Sequence, residues 1–140
     1  MVAICVRTLG QKPVECNARS LLFKSHAALE RGAWVECGCY LREAARLYLL
    51  AECQYHDCLP KSKKSAKREI PPRYLAQALH AAGPLQKGCF GWMIEIIDAG
   101  NAAAHLTYVE PNLLRTCIGL MHMFLDHSPY IVQPKAGGRV

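Results

Sequence analysis

The sequence lacks the segments that would place it in a membrane or in the secretory pathway. No apolar run approaches the roughly 20 residues that a membrane-spanning helix requires. Residues 1–6 have neither the basic start nor the apolar length of a secretory signal. We therefore expect a cytoplasmic protein with no membrane partner, whose eight cysteines are reduced thiols.

The motifs of the common enzyme classes are also missing. The chain has no glycine-rich phosphate loop, no serine nucleophile elbow and no paired carboxylates. Cys53, His56 and Cys58 are close in sequence, but a structural zinc site needs four convergent ligands. Cys37 and Cys39 would point to nearly opposite sides of a helix. We therefore expect core or surface thiols rather than a metal site, and no cofactor.

Charged residues are scarce, at 20% of 140 residues, and most of the formal net charge of +6 lies in one segment. Five basic residues and one acid lie between positions 61 and 69. The basic residues are Lys61, Lys63, Lys64, Lys67 and Arg68. Such a loop either binds nucleic acid or is simply a solvated connection, and its composition does not decide between the two.

Apolar residues at helical spacing are abundant, and no strand pattern occurs outside residues 2–6. The pattern predicts helices over residues 17–32, 33–55, 73–82, 85–99 and 110–128. We therefore predict an all-α fold, an antiparallel bundle of four main helices plus one short helix. The expected organisation is an N-terminal arm (1–16), the bundle (17–128) with a basic loop (58–72), and a C-terminal tail (129–140).

The longest predicted helix has the clearest buried face, because its apolar residues alternate steps of four and three. The predicted stripe is Trp34, Cys37, Leu41, Ala44, Tyr48 and Ala51. Gly38 lies inside this helix, where glycine costs about 1 kcal/mol relative to alanine. It indicates either close packing against a neighbour or a break.

The segment from Gly100 to His105 is an unusual end for a core helix. On a continuous helix, Asn101 and His105 project from one face. If Gly100 instead ends the helix, Asn101 is suited to cap the next one. His105 could act as a general acid or base in RNA cleavage, oriented by a polar neighbour. Alternatively, a local backbone carbonyl satisfies its ring.

These segments resemble the HEPN superfamily of small helical-bundle proteins over about residues 18–128. The resemblance is carried by Ala28-Leu29-Glu30-Arg31-Gly32, Trp34, Arg42-Glu43-Ala44-Ala45-Arg46 and Gly100-Asn101-Ala102-Ala103-Ala104-His105. The last segment is most similar to a large uncharacterised bacterial branch of the superfamily. The resemblance implies a two-fold homodimer whose paired motifs line a shared cleft, and roles in toxin–antitoxin systems, phage defence or RNA handling.

The arginine of the HEPN ribonuclease motif is absent. Active members carry an arginine separated from the histidine by four to six residues, so the resemblance assigns the histidine to His105 and the polar position to Asn101. The arginine position holds Gly100, or Ala99 or Asp98 at longer spacing. A guanidinium is the group expected to hold the phosphate.

Two functions therefore compete. The first is an RNA-associated HEPN-like domain, in which binding is expected rather than metal-independent RNA cleavage. In this hypothesis Arg115, on the polar stripe of the last helix with His122 and Asp126, is the candidate to replace the missing arginine. The second is a non-catalytic dimeric protein–protein interaction module, in which Gly100 and the alanines only allow close helix packing.

Overall fold

The computed structural model describes residues 12–61 and 70–127, with side chains described from Ala18 onward. This part of the chain contains five helices and no strand, which confirms the all-α prediction for the described residues. The helices are α1 (Lys12–Glu30), α2 (Trp34–Tyr55), α3 (Pro72–Ala82), α4 (Lys87–Ala104) and α5 (Pro111–Asp126). None of the helices in these two ranges is long and apolar enough to cross a membrane.

Two helix boundaries differ from the sequence prediction by five residues, and the others agree with it within two. Helix α1 begins at Lys12, so residues 12–16 belong to a helix rather than to the predicted arm. Helix α4 continues to Ala104 instead of ending at residue 99. The β-prone residues 2–6, the predicted tail at 129–140 and the centre of the basic loop at 62–69 lie outside the described residues.

Helix α2 is the centre of the bundle and contacts all four other helices. The predicted stripe is buried from Cys37 through Ala51. The prediction was wrong for Trp34, which is 41% exposed. Trp34 is the first residue of α2 and lies beside Gly32, where α1 has already ended and no longer covers it.

Helices α1 and α5 run antiparallel along one side of the bundle. Arg19 pairs with Asp126 at 2.9 Å, while Glu30, at the other end of α1, pairs with Arg115 at 3.3 Å. These exposed pairs contribute little energy, but their positions show that the two helices run in opposite directions. Buried apolar side chains supply the packing that holds the bundle together.

Candidate functional site

The Gly100 to His105 segment is helical as far as Ala104, and His105 is the C-cap of α4. The N–H of His105 donates to the carbonyl of Asn101 at 3.0 Å. The alternative in which Gly100 ends the helix is therefore wrong. Asn101 and His105 lie one turn apart at the same end of α4.

Gly38 and Gly100 lie where α2 and α4 cross closely. A Cβ atom placed on Gly38 would be 2.7 Å from the Cβ of Ala103, the backbone nitrogen of Ala104 and the carbonyl oxygen of Gly100. Two of these atoms belong to the backbone and cannot move aside cheaply. Of the two alternatives for Gly38, close packing is correct and α2 is unbroken. Ala103, in the middle of the alanine run, is buried and packs against α2.

The same crossing brings a guanidinium to Asn101. Arg42 Nη1 donates a hydrogen bond to Asn101 Oδ1 at 3.3 Å, although 59 positions separate the two residues. A Cβ atom on Gly100 would lie only 3.2 Å from the backbone nitrogen of Arg42 and 3.3 Å from its Cβ. Because Gly100 has no side chain, α2 can approach closely enough for Arg42 to reach Asn101.

The directions of the two helices aim Arg42 towards His105. Gly38 faces Ala103 and Ala104 while Arg42 faces Gly100, so α2 and α4 are antiparallel at the crossing. Side chains on a helix lean towards its N-terminus. Arg42 therefore leans towards the level of Gly38, which is the end of α4 that carries His105.

His105 is exposed, and no described residue forms a hydrogen bond with its ring. The chain turns sharply after it, because Leu106 adopts a left-handed conformation with φ of 66°. Leu106 N–H donates to the Ala103 carbonyl at 3.2 Å, and Thr107 N–H donates to the Ala102 carbonyl at 2.8 Å. These two bonds satisfy the last carbonyls of the helix and leave the imidazole in solvent.

The basic loop re-enters the described structure close to this site. Arg73, in the first turn of α3, pairs with Asp98 at 2.5 Å, and Asp98 precedes Asn101 by one turn of α4. Of the predicted nucleic-acid-binding lysines, Lys61 is exposed. The other basic residues of the loop, Lys63, Lys64, Lys67 and Arg68, lie outside the described residues.

The structure brings Arg42, not Arg115, to Asn101. Arg115 Nη1 donates to Asn112 at 2.9 Å and its Nη2 lies 3.3 Å from Glu30, so its guanidinium is held on the side of α5 that faces α1. The sequence signal for Arg42 was indirect. Gly38, one turn before it, indicated a close neighbour but did not identify which helix it was.

Three of the described thiols, those of Cys37, Cys53 and Cys117, are buried core groups. Burial raises the pKa of Cys53 to about 12, with Cys58 adding to the shift, and burial raises the pKa of Cys117 to about 11. Burial also raises the pKa of Cys37, whose carbonyl accepts a hydrogen bond from Ser25 at 2.8 Å. These thiols are therefore protonated at neutral pH. Within the described ranges, no three metal-ligating side chains converge on a common point.

Comparison with known proteins adds no relative to this description. No family model, curated protein or solved structure matches the chain. The HEPN resemblance therefore rests on its sequence segments alone, and the dimer and the RNA-related roles that it implies stay predictions.

Proposed function

We propose that this chain is a cytoplasmic bacterial HEPN-like domain that binds RNA, with Arg42, Asn101 and His105 contacting one phosphate group. The hydrogen bond between Arg42 and Asn101 carries this proposal, because it puts a guanidinium beside the polar residue of the motif-like segment. Guanidinium groups match the geometry of phosphate oxygens. RNA handling, toxin–antitoxin activity or phage defence are the settings that fit such a domain.

In this proposal Arg42 replaces the missing motif arginine from a different helix. The motif position holds Gly100, and its lack of a side chain is what allows Arg42 to come within 3.3 Å of Asn101. Asn101 uses its carbonyl oxygen to accept from Arg42, since the guanidinium can only donate. Its amide N–H groups then point away from Arg42 and can donate to a phosphate oxygen.

The geometry favours RNA binding over RNA cleavage. A general acid or base needs a neighbour that fixes its ring in a productive direction. No described side chain orients His105 in this way, and its ring is exposed. An exposed imidazole one helical turn from Asn101 can still donate a hydrogen bond to a phosphate.

The first experiment compares two arginines on labelled single-stranded RNA. Arg42→Ala removes the proposed phosphate contact and should weaken affinity about ten-fold or more, as expected for a charge-assisted hydrogen bond. It should also reduce the salt dependence by about 0.7 in the log–log slope, the value for one phosphate contact on a single strand. Arg115→Ala is the matched control, since it removes the same charge from an exposed position on α5.

The outcomes separate a specific site from general attraction. If both variants weaken binding equally, the RNA responds only to net charge and the proposed site is wrong. Neutralising Lys63, Lys64 and Lys67 together should lower affinity further and flatten the salt dependence. Wild-type protein without measurable RNA affinity at low salt would reject the proposal entirely.

Cleavage is tested on the same samples with His105→Ala. Wild type and variant should leave mixed RNA intact to the same extent, while RNA affinity falls in the variant. Cleavage that disappears in His105→Ala would instead show a metal-independent endoribonuclease, with His105 as the acid or base and Asn101 beside it.

A protein–protein interaction module is the second candidate, and an exposed apolar surface next to His105 favours it. Leu106 is 83% exposed, Tyr108 76% and Leu113 41%. Tyr108 and Leu113 border a shallow cavity of about 480 Å³, whose lining combines Ala99, Ala102 and Val109 with the acidic side chains Glu95, Asp98 and Glu110. Exposed apolar side chains beside such a cavity are typical of interaction sites. A second copy of the chain, related by a two-fold axis, is the partner that the HEPN resemblance implies.

Light scattering with two matched substitutions tests this second candidate. Tyr108→Ser should convert a dimer to a monomer, because it removes a central aromatic side chain from the surface. Phe23→Ser is the control, since Phe23 is similarly exposed, at 66%, but lies on α1. A monomeric wild type, or loss of the dimer in both variants, would contradict an interface at Tyr108.

A further inference from the structure

A cavity of about 510 Å³ lies at the opposite end of the α2–α4 pair from the glycine crossing. Tyr48 and Glu52 line it from α2, Trp92 from α4, and Phe124 from α5. Its volume is within the range of small-molecule sites, about 300–1,000 Å³. Its walls are mostly apolar, as they are in such sites, and two histidines, His56 and His127, line it together with Glu52.

A carboxylate is buried in this apolar wall. Glu52 is 4% exposed, which is rare for glutamate unless it has a partner. His56, one turn later at the C-cap of α2, brings its Nε2 to 3.5 Å from Glu52 Oε1, and a third of the His56 side chain remains exposed. The carboxylate is thus kept at the cavity with an imidazole at its side, although burial of such a group is costly.

Three aromatic side chains, Tyr48, Trp92 and Phe124, line the same cavity as Glu52. The rings of Tyr48 and Phe124 pack with their centroids 5.7 Å apart. Trp92 is 47% exposed, so a ligand in the cavity would cover apolar surface that now faces solvent. Aromatic faces attract cations as well as apolar groups, and tryptophan does so most strongly.

We propose that this cavity binds a small organic ammonium ion that carries an apolar body. Its ammonium group pairs with the Glu52 carboxylate, and its apolar body packs among Tyr48, Trp92 and Phe124. An anion of the same shape is disfavoured by Glu52, and a neutral analogue loses the ion pair. No feature of the RNA proposal is needed, because Glu52 lies ten residues beyond Arg42 on α2, about 15 Å along the helix axis.

The charge preference is tested on the unmodified protein with three ligands of similar shape. Phenethylamine, 2-phenylethanol and 3-phenylpropionate carry a positive, neutral and negative group on the same ring. Calorimetry should show the amine binding at least about ten-fold more tightly than the alcohol, as expected for an added charge-assisted bond. The acid should bind most weakly. Equal affinities, the reverse order, or no binding of the amine at millimolar concentration would overturn the proposal.

Glu52→Gln then assigns the preference to one residue, because it keeps the shape and removes the charge. The amine should lose about ten-fold in affinity, while binding of the alcohol should not change. Glu43→Gln is the matched control, since Glu43 is on the same helix but pairs with Arg46 outside the cavity. Loss of amine affinity in both variants, or in neither, would contradict the assignment.

A second readout does not depend on the Glu52 variant being folded. In a Trp34→Phe background, tryptophan fluorescence reports on Trp92 alone, since the chain has two tryptophans. Phenethylamine should change this emission with the affinity found by calorimetry. Unchanged emission at saturating amine would show that the amine binds elsewhere, which would reject the cavity as its site.

Discussion

The two ends of the α2–α4 contact differ in one property, the size of the side chains between the helices. At the crossing, Gly38 faces Gly100 and Ala103, and the backbones nearly touch. At the other end, Tyr48 faces a cavity that Trp92 borders from α4. Helices that cross closely at one point diverge away from it. The glycine pair therefore accounts for both the placement of Arg42 against α4 and the space at the far end.

A side chain added between α2 and α4 at the glycine crossing should have the largest effect on the free energy of unfolding. Gly38→Ala puts a methyl group where backbone atoms lie 2.7 Å away, and we expect a loss of about 2–3 kcal/mol, as in other overpacked cores. Gly91→Ala is the control on the open half of α4, where nothing lies within 4 Å of the added carbon. It should gain about 0.5–1 kcal/mol from helix propensity. Urea unfolding of both variants measures the contrast, and changes of the same sign would contradict it.

The spacing of apolar residues and the residues at helix ends were sufficient to predict most of the helices of the fold. The periodicity of apolar residues predicted α2 within one residue at its start, and Glu110-Pro111 correctly marked the beginning of α5. There, the Glu110 carboxylate caps the helix by accepting from the N–H of Leu113 at 3.1 Å. Both features depend on residues a few positions apart, and this is the range over which sequence spacing carries information.

The candidate site was predictable only in part, because its decisive contact is not local. Asn101 and His105 could be paired from their spacing, but Arg42 is 59 positions from Asn101. Glycine is also ambiguous in sequence, since it is common at helix ends and at close helix crossings alike. Gly100 was compatible with both, and the continuation of α4 to Ala104 together with the close approach of Arg42 decides between them. The cavity at the open end gave no sequence signal, because Glu52, Trp92 and Phe124 are far apart in the sequence and only the packing of three helices brings them together.

At the end of the α2–α4 pair that holds the glycine crossing, Leu106 has a strained backbone conformation. Releasing this strain should change the free energy of unfolding by less than Gly38→Ala does. Leu106 has φ of 66°, which costs a residue with a side chain roughly 1 kcal/mol or more. Leu106→Gly should therefore raise the free energy of unfolding by about 1 kcal/mol. Leu106→Ala is the control, because it removes the same exposed apolar group and keeps the strain. A gain that both variants share would show that exposure, not conformation, is responsible.

At the end of the bundle that holds the 510 Å³ cavity, the last turns of α5 carry His122, whose titration affects the free energy of unfolding. Phe124 faces the cavity, while His122 faces α1, where its ring packs edge-on against Phe23 with centroids 5.9 Å apart. Burial lowers the pKa of His122 below its ordinary value; Asp126 opposes this shift, and the nearby positive charge of Arg19 reinforces it. The folded protein therefore binds a proton at His122 less readily than the unfolded chain does.

This difference in proton binding between the folded and unfolded states predicts the smallest effect, a pH dependence of the free energy of unfolding that can be assigned to His122. At a pH above about 6.5, the pKa of a histidine in the unfolded chain, His122 is neutral in both states and does not change the free energy of unfolding. As the pH falls through 6.5 towards the lower folded pKa, the unfolded chain gains the proton first, so the free energy of unfolding decreases. His122→Gln should flatten the curve of urea midpoint against pH in this window. Parallel curves for wild type and His122→Gln would show that His122 does not contribute, and that other groups produce any acid sensitivity of the bundle.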